Sequence, residues 1–379
     1  MTSSSANTPY AKSQSSNPAH PQVAPHALAV PRLTNRQHFV FGYKTPSGEE
    51  RAFSFRQSPQ DTWIVRYGRC LRPPGGFREE CLRTARRIAE LANAPIHVMF
   101  SGGADSEVAL RSFHEAGIPV RAAILRFQND LNLHDIAWAV NTCESLGIAY
   151  DFHHLDLLKF WEGEALAYAE ATTCLSPQLL PTMWLADQIP GYCVMGSGEN
   201  YIVKRRPNLP EGDEYHPSLW DLYEKEKIAS WYRHFIVRGR DACPGFFQFT
   251  PELMLSWLLD PQAQALWKDQ CYRRLDSMSS KLAIYQTHFG IQARPKYTGY
   301  ERVAEAEVRL RDELARRLPP AQQIYKTPVP TLIHQLRPDP DRPHPASRIS
   351  GFKNSPWDRD FDPRELPPGF THTPTAQEV

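Results

Sequence analysis

The sequence predicts an α/β protein: a parallel sheet, preceded by a small β cap and followed by a helical subdomain. Short apolar runs alternate regularly with amphipathic helical stretches between residues 77 and 155, the pattern of strands joined by crossover helices. A glycine-rich turn lies between the first apolar run and the helix after it, where open α/β sheets carry their loops. With 379 residues, 41% of them hydrophobic, the chain has room for one large α/β domain and a second unit.

The elements follow in order. Residues 1–35 are rich in Ser, Ala, Asn and Pro, and the stretch to Arg32 has no acidic residue and no apolar core of a signal peptide, so it reads as a disordered tail. In the cap, residues 36–75, segments 38–43 and 51–56 alternate around Thr45-Pro46-Ser47-Gly48 as a β-hairpin, and 62–67 adds a strand. Cys81, Ala85, Ile88, Ala89 and Leu91 recur at helical spacing over 77–92, and Asn93 and Pro95 stop that helix. Strands at 96–100, 120–127 and 149–155 then alternate with helices at 106–116 and 134–146, ended by Gly117 and Gly147. Strand, helix, strand at this spacing requires right-handed crossovers and a parallel sheet covered on both faces. Helices at 158–170 and 181–187 and a strand at 192–195 complete the domain over 76–210. Residues 211–335 are mostly helical and rich in aromatics, the expected substrate subdomain. The 34 prolines thicken again after Arg337, and 336–379 reads as a second disordered tail.

Composition narrows the classes. Lys+Arg 43 against Asp+Glu 42 gives no global field toward nucleic acid or an anionic membrane. The apolar runs, such as 96–100, are far shorter than the roughly 20 residues that span a bilayer, so a soluble protein without a membrane partner is expected. Seven scattered cysteines without a C-x-x-C fit a reducing cytoplasm rather than a disulfide framework or a zinc ribbon.

The chemistry is carried by Ser101-Gly102-Gly103-Ala104-Asp105-Ser106, directly after the first strand. Two glycines let backbone N–H groups approach an anion, the hydroxyls of Ser101 and Ser106 add donors, and the helix N-terminus adds about half a positive charge. Asp105 would be repelled by bound phosphates unless a cation stood between them, so Mg²⁺ is expected there. No G-x-x-x-x-G-K-[ST] occurs, which sets γ-phosphate transfer aside.

This stretch resembles the PP-loop superfamily of ATP pyrophosphatases, with the signature S-G-G-x-D-S, which includes asparagine, GMP, NAD and argininosuccinate synthetases and tRNA thiolases. The resemblance covers about residues 95–206 and implies an adenine nucleotide alpha hydrolase-like fold. It also implies ATP and Mg²⁺, and an adenylated intermediate formed with release of pyrophosphate. Gly196-Ser197-Gly198-Glu199-Asn200 looks like the second glycine-rich loop of asparagine synthetases. By that likeness Gly196 and Gly198 approach ribose or phosphates, Glu199 takes the acidic, metal-holding role beside Asp105, and Leu125 and Arg126 present backbone groups to adenine. Asn200 departs from the synthetase pattern, which leaves the amide-forming reaction open.

Lys204 and Arg206, just after the second loop, are candidates to clamp phosphate, although a basic run also suits a solvated face. Cys174 and Cys271 are candidates for thiol chemistry, against the commoner role of a cysteine as a small buried hydrophobe. Thr250 reads as an N-cap before Pro251, with Glu252 either facing the nucleotide or serving the helix dipole. The cluster from Arg294 to Tyr300 either binds an anionic substrate or joins two helices.

The expected function is an adenylyl-transfer enzyme resembling asparagine synthetase without a glutaminase domain, since Thr2 and not a cysteine follows Met1; ammonia or an amine then attacks the activated substrate. The alternatives are a sulfur-transfer or phosphoadenylylsulfate reductase-like enzyme, and a nucleotide-binding protein without turnover. The acceptor is a small molecule of unidentified class. The net charge gives no indication of tRNA, and oligomeric state is not legible.

Overall fold

The computed structural model describes residues 38–204, 220–268, 278–318 and 323–338. The predicted N-terminal tail lies outside these residues, as do Arg206, Cys271 and the predicted C-terminal tail from residue 339 onward; its expected first residue, Leu336, is instead fully buried at the end of a helix.

The cap is β1 (Phe39–Lys44), β2 (Glu50–Ala52) and β3 (Thr62–Tyr67), an antiparallel sheet in the order β2-β1-β3. After α1 (Phe77–Leu91) the chain alternates through β4 (Ile96–Met99), α2 (Ala104–Glu115), β5 (Arg121–Phe127), α3 (Leu133–Leu146) and β6 (Tyr150–Leu155). The single helix expected over 158–170 is broken at Gly163 into α4 (Leu157–Glu162) and α5 (Ala165–Thr172). Next come α6 (Leu180–Gln188), β7 (Tyr192–Met195) and β8 (Ile202–Lys204). The region expected to be helical carries α7 (Ala229–Arg238), α8 (Pro251–Leu259), α9 (Pro261–Lys268), α10 (Met278–Phe289), α11 (Ala304–Arg317) and α12 (Val329–Leu336). It also supplies β9 (Trp220–Lys225), β10 (Ala242–Cys243) and β11 (Ile324–Pro328).

The central sheet has five strands in the order β10-β7-β4-β5-β6, all parallel. Val98 of β4 is paired with Ala122 on one side and Val194 on the other. The chain winds outward from β4 through β5 to β6, then returns to lay β7 on the opposite side of β4. The order reverses there, so the crevice lies at the carboxyl ends of β4 and β7. Five parallel strands covered by helices, wound in this order, give the open parallel α/β sheet that the sequence predicts.

One buried cluster runs from the cap through the sheet into α8, α10 and α12. A second lies under β6 among α4–α6 and α11. The third sheet, β11-β9-β8, joins the cap to the far end of the chain: Trp63 Nε1 donates to the Glu224 carbonyl at 3.2 Å, and Cys70 N to the Leu336 carbonyl at 2.8 Å. No helix of the described residues is long and apolar enough to cross a membrane.

Candidate nucleotide site

Residues 101–106 leave β4 and enter α2 as the sequence predicts. Gly102 takes φ +78°, and a Cβ there would run into the Asp135 carbonyl of α3, so the turn requires glycine. No side chain caps α2 at Gly103, leaving the first-turn N–H groups to an incoming anion. Ser101 Oγ accepts from Gly103 N at 3.3 Å and lies 3.3 Å from Ser106 Oγ, whose hydroxyl donates to the Gly103 carbonyl at 2.9 Å.

The second loop, after β7, lies against the first. A Cβ on Gly196 would stand 2.7 Å from Ser106 N, so only glycine allows the two loops to touch. Gly198, at φ +80°, is closed over the Gln248 side chain. Ser197 Oγ donates to the Pro244 carbonyl at 2.5 Å, and Asn200 Nδ2 to the Met254 carbonyl at 3.1 Å, pinning the loop to the α8 region. Asn200 is thus a structural anchor, a role its departure from the synthetase pattern did not reveal.

These contacts bring Asp105 and Glu199 to the same point, where Lys281 of α10 stands between them. Its Nζ donates to Asp105 Oδ2 at 3.0 Å and to Glu199 Oε1 at 3.4 Å. Tyr285, one turn later, donates its hydroxyl to Asp105 Oδ1 at 2.8 Å. The Tyr285 ring is stacked against both Phe77 and Phe247, which fixes that hydroxyl. Burial opposes the charge on Lys281, but the two carboxylates outweigh it and raise its pKa, so it stays an ammonium. Burial, reinforced by Asp105, raises the Glu199 carboxyl, with Lys281 opposing. The sequence reading missed Lys281 and Tyr285. The available signal was a lysine on the stripe it shares with Ile284 and Tyr285, both fully buried.

The donor set suits Mg²⁺. Two carboxylates from separate loops already converge on one cation, the lysine ammonium, whose side chain is 6% exposed. Mg²⁺ is held by one or two carboxylates with water and phosphate oxygens completing the shell. Among the described residues no group of three or more His, Cys, Asp or Glu is placed to hold a metal, so the pair fits an ion that brings other ligands with it.

Behind the second loop, Glu224 is buried and accepts hydrogen bonds from Tyr67 OH and from Gln248 Nε2, the latter at 2.6 Å. Burial raises its pKa to about 7.

Residues 294–300 are neither a plain helix connection nor a remote patch. Arg294 donates to the Gly102 carbonyl and to Glu107, and its guanidinium lies 5.0 Å from the Trp138 ring centre. Tyr297 N donates to Asp135 Oδ1 at 3.3 Å, and Gly299, at φ +87°, is pressed onto the Leu131 backbone. The segment is a strap over the ends of β4 and β5. It carries the exposed Lys296, whose Nζ lies 4.0 Å from where a Gly103 Cβ would be.

Leu125 and Arg126 sit at the carboxyl end of β5. The Leu125 carbonyl accepts from Asn132 Nδ2 at 2.9 Å, and Arg126 pairs with Asp130 at 2.7 Å. Lys204 closes β8, its backbone paired with Trp220. Thr250 does cap α8, accepting from Leu253 N at 3.3 Å, whereas Glu252 accepts from Leu71 N at 2.7 Å and so ties α8 to the approach to α1. Cys174 is buried, and burial raises its thiol pKa, away from nucleophilic use.

No family model and no curated protein matches the chain. Among solved structures it is similar to an NH3-dependent NAD synthetase from Campylobacter jejuni subsp. jejuni NCTC 11168 in complex with the nitrate ion, at 16% identity and a TM-score of 0.24 over 30% of this chain and 50% of that one. It is also similar to NMN synthetase from Francisella tularensis, at 15% identity and a TM-score of 0.26 over 62% of this chain and 92% of that one. The chain spans half the length of the first of these structures. Likenesses this distant carry no argument about activity, and the functional reading rests on the residues of the site.

Proposed function

We propose that the protein is an ATP-dependent, AMP-forming ligase of the PP-loop type. The observation that supports it is the convergence of Asp105 and Glu199, from loops at the carboxyl ends of adjacent parallel strands, on one cation beside an uncapped glycine-rich helix start.

In this reading the triphosphate lies along residues 101–106, with Gly196 and Gly198 closing over it from the second loop. Ser101, Gly102, Gly103 and Ser106 hold the departing pyrophosphate through backbone and hydroxyl donors. Leu125 and Arg126 border the base, and Lys204 and Arg206 are proposed phosphate partners. A substrate oxygen attacks the α-phosphorus, the bond from that phosphorus to the bridging oxygen breaks, and pyrophosphate leaves with the bonding pair. Ammonia or an amine then displaces AMP from the adenylate, as in asparagine synthetase-like ligases. Mg²⁺ held by Asp105 and Glu199 supplies charge neutralisation on the phosphates.

The test is turnover of α-labelled ATP with Mg²⁺, pooled amino acids, ammonia and bulk tRNA, beside Asp105→Asn. The expected products are AMP and pyrophosphate, reduced at least about a hundredfold in the variant, the scale of removing a transition-state charge stabiliser. ADP as the product, or equal turnover by the variant, overturns the reading.

A further inference from the structure

Lys281 occupies the place where the proposed function needs a metal. An ammonium 3.0 Å from Asp105 and 3.4 Å from Glu199 excludes a divalent cation from the pair, both by volume and by like charge. Its withdrawal is not free. The side chain is almost fully buried, and its helix is held in place by the stacked Tyr285 one turn away. If a free Mg²⁺ took both carboxylates, it would leave a buried ammonium without a partner beside a second positive charge, an arrangement that is strongly unfavourable. A metal that arrives with a polyphosphate brings anionic oxygens for the displaced lysine.

We infer that Lys281 is an internal counter-ion that bars free divalent cations from the Asp105–Glu199 pair and admits the metal only together with a polyphosphate. Metal and nucleotide then bind as one unit, and by linkage each raises the other's affinity by the same factor. The polyphosphate half of this inference rests on the proposed function; the exclusion of free metal does not.

The test is titration of the full chain with Mn²⁺, read by electron paramagnetic resonance, with and without α,β-methylene-ATP, for the natural protein and Lys281→Met. In the natural protein the analogue should tighten Mn²⁺ binding at least about tenfold, within the usual range of coupling between sites. Lys281→Met should bind Mn²⁺ alone at least about tenfold more tightly than the natural protein. Lys281→Gln, checked by thermal melting, serves if the methionine variant does not fold, and the two titrations of the natural protein decide if neither does. Mn²⁺ binding by the natural protein that is equally tight when the analogue is bound and when it is absent, or no tightening in a folded variant, overturns the inference. An analogue that never binds, while the variant still takes Mn²⁺ more tightly, sinks the nucleotide reading and leaves the exclusion of free metal standing.

Discussion

Glu224 shows how a single carboxyl couples the site to pH. Burial lifts its pKa from 4.5 to about 7, and it faces Tyr67 from the cap, Gln248 beneath the second loop and the charge of Glu199. A raised carboxyl binds its proton more tightly in the folded state than in the unfolded chain. Its contribution is therefore fully present below about pH 4.5 and lost as pH rises to about 7, on the order of 3 kcal/mol in all. Asp187, whose carboxyl is lowered to about 2 as His234 and Arg238 outweigh its burial, acts in the opposite sense and in a separate, more acid window. Glu224→Gln should gain stability relative to the natural protein on going from pH 5 to pH 8, by most of that amount. Urea unfolding of both proteins at both pH values reads it; a difference that does not change with pH would remove Glu224 as the titrating group. At this scale the sequence was legible wherever chemistry is contiguous. Ser101 to Ser106 form one local turn, so their spacing alone announces it. Lys281 stands 176 residues from Asp105, and nothing local to α10 says which carboxylates its ammonium meets.

Among the elements, the contact between the two loops decides whether a site exists. Gly196 is the hinge of that contact, because a methyl group there must displace the backbone of Ser106. Gly196→Ala should separate the loops, destabilise the fold by about 1–3 kcal/mol as overpacking does, and abolish nucleotide binding. Urea unfolding and calorimetric titration with α,β-methylene-ATP measure the two effects. Retained affinity would show that the second loop takes no part. Strands β4 to β7 were readable from their apolar runs and intervening helical periods. β10 was not, since two residues are too few for any alternation to register, and its place beside β7 depends on tertiary pairing. The break at Gly163 was also hidden, because the apolar spacing continues on either side of it.

Taken whole, the chain closes on itself. Arg233 of α7 is buried at the junction with the cap: it donates to Tyr43 OH and to Thr173 Oγ1, the latter at 2.6 Å, while Tyr43 donates to Glu226, which also pairs with Arg56. Cap and sheet share one core cluster. Arg233→Met should therefore cost about 1–3 kcal/mol, the scale of leaving buried hydrogen-bonding groups unpaired, and should do so in one transition in which Trp fluorescence and circular dichroism coincide. A midpoint equal to that of the natural protein, or a cap that melts separately, would contradict this. The cap strands and the alternating strands and helices of the central sheet were readable from the sequence, but their fusion with residues 220–336 was not. It depends on pairings such as Cys70 with Leu336, which no window of sequence contains.

The distance along the chain between the two acids and their lysine also sets an order of events on the ribosome. Glu199 is synthesised 82 residues before Lys281, a delay of several seconds at about 5–20 residues per second. During that interval the nascent polypeptide has both carboxylates and no ammonium to oppose them. The acid pair is thus made before its counter-charge, and the balance of charge where the two loops meet is set only once α10 exists.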